Sequence, residues 1–234
     1  MNGWLERASD AIGATECLDR RLHCLYTCSV IITVASFKGG VGKTTTAIHL
    51  AQYFSESGST VLIDGDPNRS STQWATRGSP PFAVVPESQT AIVARKYEHL
   101  VIDTKARPEL SDLQALAEGC DLLVLPCTPD PFSLDALVMT VDTLAELGAD
   151  QYKILLTIVP PKPQKDGPHA RATLVEAGLP LFAGEIRRTV AFQRAALEGT
   201  TVDQISSIEI ATVAWNDYVE VGKEICKHCE QTKF

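Results

Sequence analysis

Short apolar runs alternate along the chain with segments whose apolar residues recur every three or four positions. The runs at 30–34, 61–63, 82–85, 99–104, 121–126 and 154–159 predict strands, and a shorter one is expected near 181–186. Between them, Ala47, Ile48, Leu50, Ala51 and Phe54 line one face of a helix that Gly58 stops. Further helices are predicted over 70–76, 110–117, 133–147, 169–177, 191–198 and 208–226. Buried strands alternating with amphipathic helices imply an α/β fold, a doubly wound and mostly parallel sheet covered on both faces. Ligands of such sheets sit at the carboxyl ends of the strands. Residues 1–28 do not join the alternation, and their one helical signal covers 4–12. We therefore expect an N-terminal extension over 1–28 and a single domain over 29–234.

The first strand runs into Lys38, Gly39, Gly40, Val41, Gly42, Lys43, Thr44 and Thr45 before the first helix begins. Glycines on a turn between a buried strand and a helix N-terminus make a phosphate cradle. The amides point at the anion, and the helix start carries about half a positive charge. In such a loop Lys43 reaches the β- and γ-phosphates and the Thr44 hydroxyl holds Mg2+. Two acidic stretches sit at other strand ends. Asp103 closes an apolar strand and suits a hard cation opposite Thr44. Asp64, Gly65, Asp66, Pro67 and Asn68 follow the second strand, although these residue types also favour an ordinary turn.

The strict P-loop pattern wants glycine where this chain has Phe37, with Lys38 beside it. The stretch resembles the deviant P-loop, KGGVGKTT, of the ParA/MinD superfamily of ATPases, and the resemblance covers about residues 30–222, including 185–195. It implies a P-loop NTPase of the ParA/MinD type, with ATP and Mg2+ as cofactors and residues 39–45 around the phosphates. It implies that Lys38 crosses a homodimer interface to the partner's nucleotide, that Asp66 orients the attacking water, and that Thr44 and Asp103 serve the metal. Pro160, within the strand-end stretch 157–161, is the candidate for the base pocket. Where ParA proteins commonly carry DTPP, this chain has Asp103, Thr104, Lys105, Ala106, Arg107 and Pro108; the two added cations suit a phosphate, a partner or plain solvent.

Within the superfamily, the last helix resembles a core-packing element rather than a membrane helix. Ile208, Ala211, Trp215, Tyr218, Val219 and Ile225 form a stripe, and Asp217, Glu220 and Glu224 are expected to face away, opposing anionic lipid. Cys120 and Cys127 are expected in the core rather than on an iron–sulfur cluster. The ParA branch without an N-terminal DNA-binding domain remains. It implies an ATP-dependent homodimer, nonspecific DNA binding, a small adaptor protein that stimulates the ATPase, and a cytoplasmic, nucleoid-associated location without membrane. Compact size and motif wording resemble the ATPases that position carboxysomes, with plasmid partition close behind. The alternative is a P-loop metabolic ligase or synthase acting on a small carboxylate.

Composition changes this picture in two ways. The net charge of −8 opposes bulk attraction to DNA. Residues 1–150 carry 11 basic against 19 acidic side chains, and 151–234 carry 10 of each, so a basic face is expected in the second part. Arg187, Arg188 and Arg194 are its densest group and the candidate DNA-binding residues; the competing expectation pairs them with Glu185 and Glu198. The seven cysteines suggest reduced thiols. Cys17, Cys24 and Cys28 with Cys226, His228 and Cys229 could make a zinc site if the termini met, but their loose spacing points to free thiols. Arg20 and Arg21 before the apolar 22–35 imitate a secretory leader, a reading rejected because cleavage would remove the P-loop strand.

Overall fold

The computed structural model describes residues 29–106, 110–207 and 209–232. The 4–12 helix, the 1–28 extension, Cys17, Cys24, Cys28, Arg107 and Ile208 lie outside them. Six strands, β1 (Val30–Ser36), β2 (Thr60–Asp64), β3 (Ala83–Pro86), β4 (His99–Ala106), β5 (Leu122–Cys127) and β6 (Tyr152–Leu156), form one sheet in the order β3-β2-β4-β1-β5-β6. Every ladder is parallel, so the expected mostly parallel sheet is wholly so. The helices are α1 (Lys43–Ser55), α2 (Ser70–Ala75), α3 (Thr90–Val93), α4 (Leu110–Glu118), α5 (Pro131–Glu146), α6 (Asp166–Glu176), α7 (Val190–Glu198) and α8 (Glu209–Thr232). From β1 the chain turns through α1 towards β2 on one side, and α4 later carries it to β5 on the other. The carboxyl end of β1 is thus a switch point, where open α/β sheets leave a crevice.

Alternation along β1 divides the core. Val30, Ile32 and Val34 pack under α1, α2, α7 and α8 with Phe54, Trp74, Trp215 and Tyr218. Ala35 faces the layer where α4, α5 and α6 bury Leu113, Leu137, Leu144 and Leu174 against Leu123, Leu125, Ile154 and Leu156. A smaller cluster joins Val93 of α3 to Val61, Ile63 and Leu100. Helix α3 and the helical turn before it had no periodic signal, being too short to show one. Both sheet-covering layers hold apolar strands from two sides, which is why the runs read as continuous rather than alternating.

Two expectations about the C-terminal part need correction. The segment near 181–186 is not a strand. The Phe182 and Ile186 amides donate to the Ile154 and Leu156 carbonyls of β6, but the pairing reduces to two isolated bridges, Ile154 with Leu181 and, beyond the end of β6, Val159 with Arg187. Side chains take the backbone groups a ladder would use. The Arg171 guanidinium donates to the Phe182 and Gly184 carbonyls, and the Glu224 carboxylate accepts from the Ala183 and Gly184 amides. The second correction concerns α8. Glu224 turns to that segment, and Asp217 is 8% exposed and bound to Arg187, so neither belongs to an outward acidic face. The apolar stripe itself is as expected, with Ala211, Trp215, Tyr218 and Ile225 buried. α8 runs on to Thr232 because no glycine or proline stops it and Cys229 still packs in the core. Among the described residues no helix is long and apolar enough to cross a membrane.

A buried histidine locks α1 to the C-terminal helices. His49 Nδ1 lies 2.7 Å from the Thr45 carbonyl, so it must carry the proton, and Nε2 accepts from the Val202 amide at 3.2 Å. Its ring stacks on Tyr218 and meets Phe192 edge-on. Burial lowers its pKa to about 4, outweighing the Thr45 hydrogen bond and the field of Asp203. The unfolded chain therefore binds this proton below its ordinary value of 6.5, whereas the folded chain does so only near 4. A lowered histidine pKa means stability present above pH 6.5 and lost as pH falls towards 4. Denaturant unfolding should show wild type about 2 kcal/mol less stable at pH 5 than at pH 7.5 from this group, and His49→Gln should flatten that slope.

Candidate functional site

The loop between β1 and α1 is shaped by glycines that the sequence cannot replace. Gly40 and Gly42 have φ of 80° and 84°, a region L side chains avoid, and nothing lies within 4 Å of a Cβ built on Gly40. The space over the loop is therefore open and its backbone conformation is what demands glycine. Gly42 is the N-cap residue of α1, without a side-chain cap, and no acidic residue lies in the first turn. The first intrahelical bond runs from the Thr46 amide to the Gly42 carbonyl. The amides before it face the crevice, and the positive end of the helix is left uncompensated by the chain. By contrast, α5 is capped by Asp130 and α7 by Thr189.

Charge and bracing complete the cradle. Lys43 is 8% exposed and makes no ion pair with any described residue. Its ammonium acts on Asp103 through space. The Thr157 hydroxyl, at the end of β6, donates to the Val41 carbonyl at 2.8 Å and lies 3.3 Å from the Cys127 carbonyl. It ties the loop to β5 and β6. Thr157 is thus a brace within the stretch 157–161 expected at the base. Pro160 does line the cleft of about 450 Å³ beside the loop, together with Ile158, Gln164, Asp166, Lys38 and Arg188.

The expected strand end at 104 is extended, since β4 runs on to Ala106, and Asp103 is fully buried within it, beside Thr44 and level with Asp64 at the end of β2. Ser71 donates to its Oδ2 at 2.7 Å, while Oδ1 is buried without a partner. Burial raises its pKa to about 6, against the Ser71 hydrogen bond, the nearby Thr44 hydroxyl and the charge of Lys43. An orphaned carboxylate oxygen beside a threonine hydroxyl and an uncapped helix is a fitting place for a hydrated divalent cation. The two aspartates of the second acidic motif separate in role. Asp64, buried, accepts from the Thr72 amide and hydroxyl at 2.8 and 2.6 Å and from the Asp66 amide, so it holds the loop to α2. Asp66 is half-buried and accepts from the Asn68 amide and side chain.

The remaining candidates are distributed as follows. Lys38 Nζ sits 2.8 Å from Asp130 Oδ1. Lys105 pairs with Asp112 on α4 at 2.6 Å, which leaves it among surface charges. Arg187 forks onto Asp217, with Nε and Nη2 each 2.7 Å from a carboxylate oxygen, and Arg194 pairs with Glu198 one turn on. Arg188 is exposed and lines the cleft. Cys120 and Cys127 pack against the α4–α6 layer, where burial pushes both thiols up to about 11. Sequence reasoning set Thr157 at the base and not as a brace of the loop, and it missed Ser71 and Asp130. Only Asp130 had a readable signal, an aspartate followed by proline at the first helical position, which marks an N-cap.

A strand-end cradle of this kind is shared with known proteins. The profile of the CobQ/CobB/MinD/ParA nucleotide binding domain matches residues 32–202. The chain belongs to this family. It is 34% identical to the maintenance of carboxysome distribution protein A of Gloeobacter kilaueensis over 83% of this chain and 93% of that protein. Among solved structures, an ATP complex of Cyanothece McdA shares the fold at a TM-score of 0.66 and 17% identity, covering 86% of this chain and 97% of that one. MinD of Aquifex aeolicus does so at 0.67 and 14%, covering 85% and 97%. The protein is a ParA/MinD-type ATPase related to carboxysome-positioning proteins.

The division of labour in the second acidic motif has a measurable consequence. Asp64→Ala leaves two helix-start donors and a buried loop without their acceptor, and should cost about 2–4 kcal/mol in denaturant unfolding. Asp66→Ala removes bonds within an exposed turn and should cost about 1 kcal/mol or less. Equal losses would mean that the two carboxylates are not divided between fold and cleft.

Proposed function

We propose that this protein is a Mg2+-dependent ATPase that forms an ATP-sandwich homodimer, binds nucleoid DNA without sequence preference, and positions a cargo through a small adaptor protein that stimulates hydrolysis. The carboxysome is the favoured cargo, because a relative 34% identical over 83% of this chain and 93% of its own is named for carboxysome distribution; a plasmid is next. The observation that carries the reading is the convergence of Lys43, Asp103 and the Asp66 turn, from the carboxyl-terminal parts of three strands, on an uncapped helix N-terminus.

In this reading the triphosphate lies along the backbone of residues 39–45, and Lys43 neutralises its terminal oxygens. Thr44 and Asp103 would hold Mg2+, which when bound supplies further charge to the phosphates. Asp66, on a turn rather than in the sheet, orients the attacking water. Pro160 and Ile158 offer the base an apolar wall. Lys38 of a second chain adds positive charge as the phosphoryl group departs, so turnover depends on dimerisation. Phosphoryl transfer needs little else from a protein than position and charge.

DNA binding must overcome the net charge of −8. Affinity of this kind comes from phosphate neutralisation and release of counterions, so it grows with the number of cations on one face. Arg187, Arg188 and Arg194 are the proposed contacts. Arg187 and Arg194 already hold carboxylates, which leaves Arg188 as the freshest contribution and makes doubling through the dimer important.

Two sets of measurements test this. Lys43→Ala should abolish ATP binding in calorimetry, whereas Asp66→Ala should bind ATP, hydrolyse it at least about tenfold more slowly, and accumulate as a dimer by light scattering. Retained ATP binding by Lys43→Ala would remove the site assignment. For DNA, wild type with ATP should bind duplex at low salt, and the log–log salt slope should flatten by up to about 3.6 in the Arg187→Ala, Arg188→Ala double variant, about 0.9 for each of two arginines on each of two chains. Carboxylate-dependent ATP consumption without DNA binding would instead favour a ligase.

A further inference from the structure

Lys38 is held within its own chain. Its ammonium lies 2.8 Å from Asp130 Oδ1, with side-chain exposures of 33% and 42%. Both ends of the pair are positioned by other bonds. The Ser36 hydroxyl donates to the Lys38 carbonyl at 2.7 Å, fixing the backbone where β1 enters the loop. Asp130 caps α5, accepting from the Ser133 amide at 3.1 Å, and its second oxygen accepts from the Thr128 hydroxyl. Partial burial pushes the Asp130 carboxyl up, but bonds from Lys38, Thr128 and Ser133 together hold it below its ordinary value. It is therefore a standing negative charge at neutral pH. Lys38, Gly39, Gly40, Thr128 and Asp130 all line the same cleft.

A helix cap needs only an acceptor, and an uncharged side chain supplies one. The charge at Asp130, favourable to the start of α5, also meets the Lys38 ammonium. We propose that Asp130 is a positioning residue that latches Lys38 in cis in the single chain and yields it to a partner's nucleotide on dimerisation. The inference rests on the ATP-sandwich reading given above. In the single chain the latch keeps the Lys38 charge off its own phosphates, so the cleft is loaded without being completed. On dimerisation the partner's triphosphate replaces one carboxylate as the counter-charge of Lys38. A half-exposed ion pair is weak enough to be exchanged in this way, and breaking it sets part of the dimer's threshold.

The test uses the full chain with AMPPNP, so that hydrolysis does not drain the dimer. Asp130→Asn and Asp130→Ser both keep a good N-cap while removing the charge. Thermal melting and far-UV circular dichroism confirm that α5 stands. Sedimentation or light scattering against protein concentration should show the dimer midpoint falling about two- to fivefold in each variant. Unstimulated ATPase with ATP should rise by a similar factor at low protein concentration. In a Lys38→Ala background, Asp130→Asn should shift neither the midpoint nor the rate, because the latch acts only through Lys38. A wild-type dimer that the Asp130 variants leave unchanged or weaken overturns the latch alone, as does a shift that persists in Lys38→Ala. A wild type that stays monomeric with AMPPNP overturns the sandwich reading and the latch with it.

Discussion

The N-terminus of α1 carries an uncompensated positive end, and much of the neighbouring structure is arranged around it. Helix starts normally find a side-chain acceptor, as α5 and α7 do. Here the cap residue is a glycine in the left-handed region, and no carboxylate lies in the first turn. Such a terminus is stable only if the loop before it is held from elsewhere. Thr157 does this from β6 through the Val41 carbonyl, and Ser36 does it from β1 through the Lys38 carbonyl. The cradle is thus pre-formed, and an arriving anion meets amides already oriented, which avoids the cost of ordering a loop on binding.

The charges around this terminus follow one rule: each is neutralised only as far as leaves room for a ligand. Asp103 has one oxygen bonded to Ser71 and the other bare. Lys43 is nearly buried yet unpaired with any described carboxylate. Lys38 is paired, but at a partly exposed site. Away from the crevice the opposite holds. Arg187 and Asp217 form a two-pronged pair against the core, and Glu224 serves two amides and lies 3.4 Å from Lys153. Arg187, Asp217 and Glu224, which hold the fold together, find their partners within the chain, whereas Asp103 and Lys43 at the cleft are left partly open.

The same contrast explains which parts were legible in the sequence. Strands buried on both faces write themselves as apolar runs, so β1, β2, β4, β5 and β6 were readable, as were the long helices with their periodic stripes. The failures are local competitions between side chain and backbone. Segment 181–186 looks like a strand, but Arg171 and Glu224 take its hydrogen bonds. Asp217 looks like a surface acid because hydropathy assigns aspartate outward, and no one-dimensional pattern encodes an arginine thirty positions earlier. Helix α3 is barely one turn long, so its period never repeats.

What the sequence alone determined was the family, the parallel sheet and the residues gathered at its strand ends. These depend on spacing along the chain: glycines that must adopt positive φ, carboxylates closing apolar runs, and stripes of helical period. Only the tertiary structure decided which member of a motif does what. Asp64 and Asp66 are two positions apart, yet one is a buried brace of α2 and the other lies half-buried on the turn, bonded to Asn68. Lys38 and Asp130 are distant in the chain and 2.8 Å apart in space, as Thr157 and Val41 are joined across separate strands. Such pairs arise from the order in which the strands lie side by side, and that order is settled by packing of whole layers, not by any local signal.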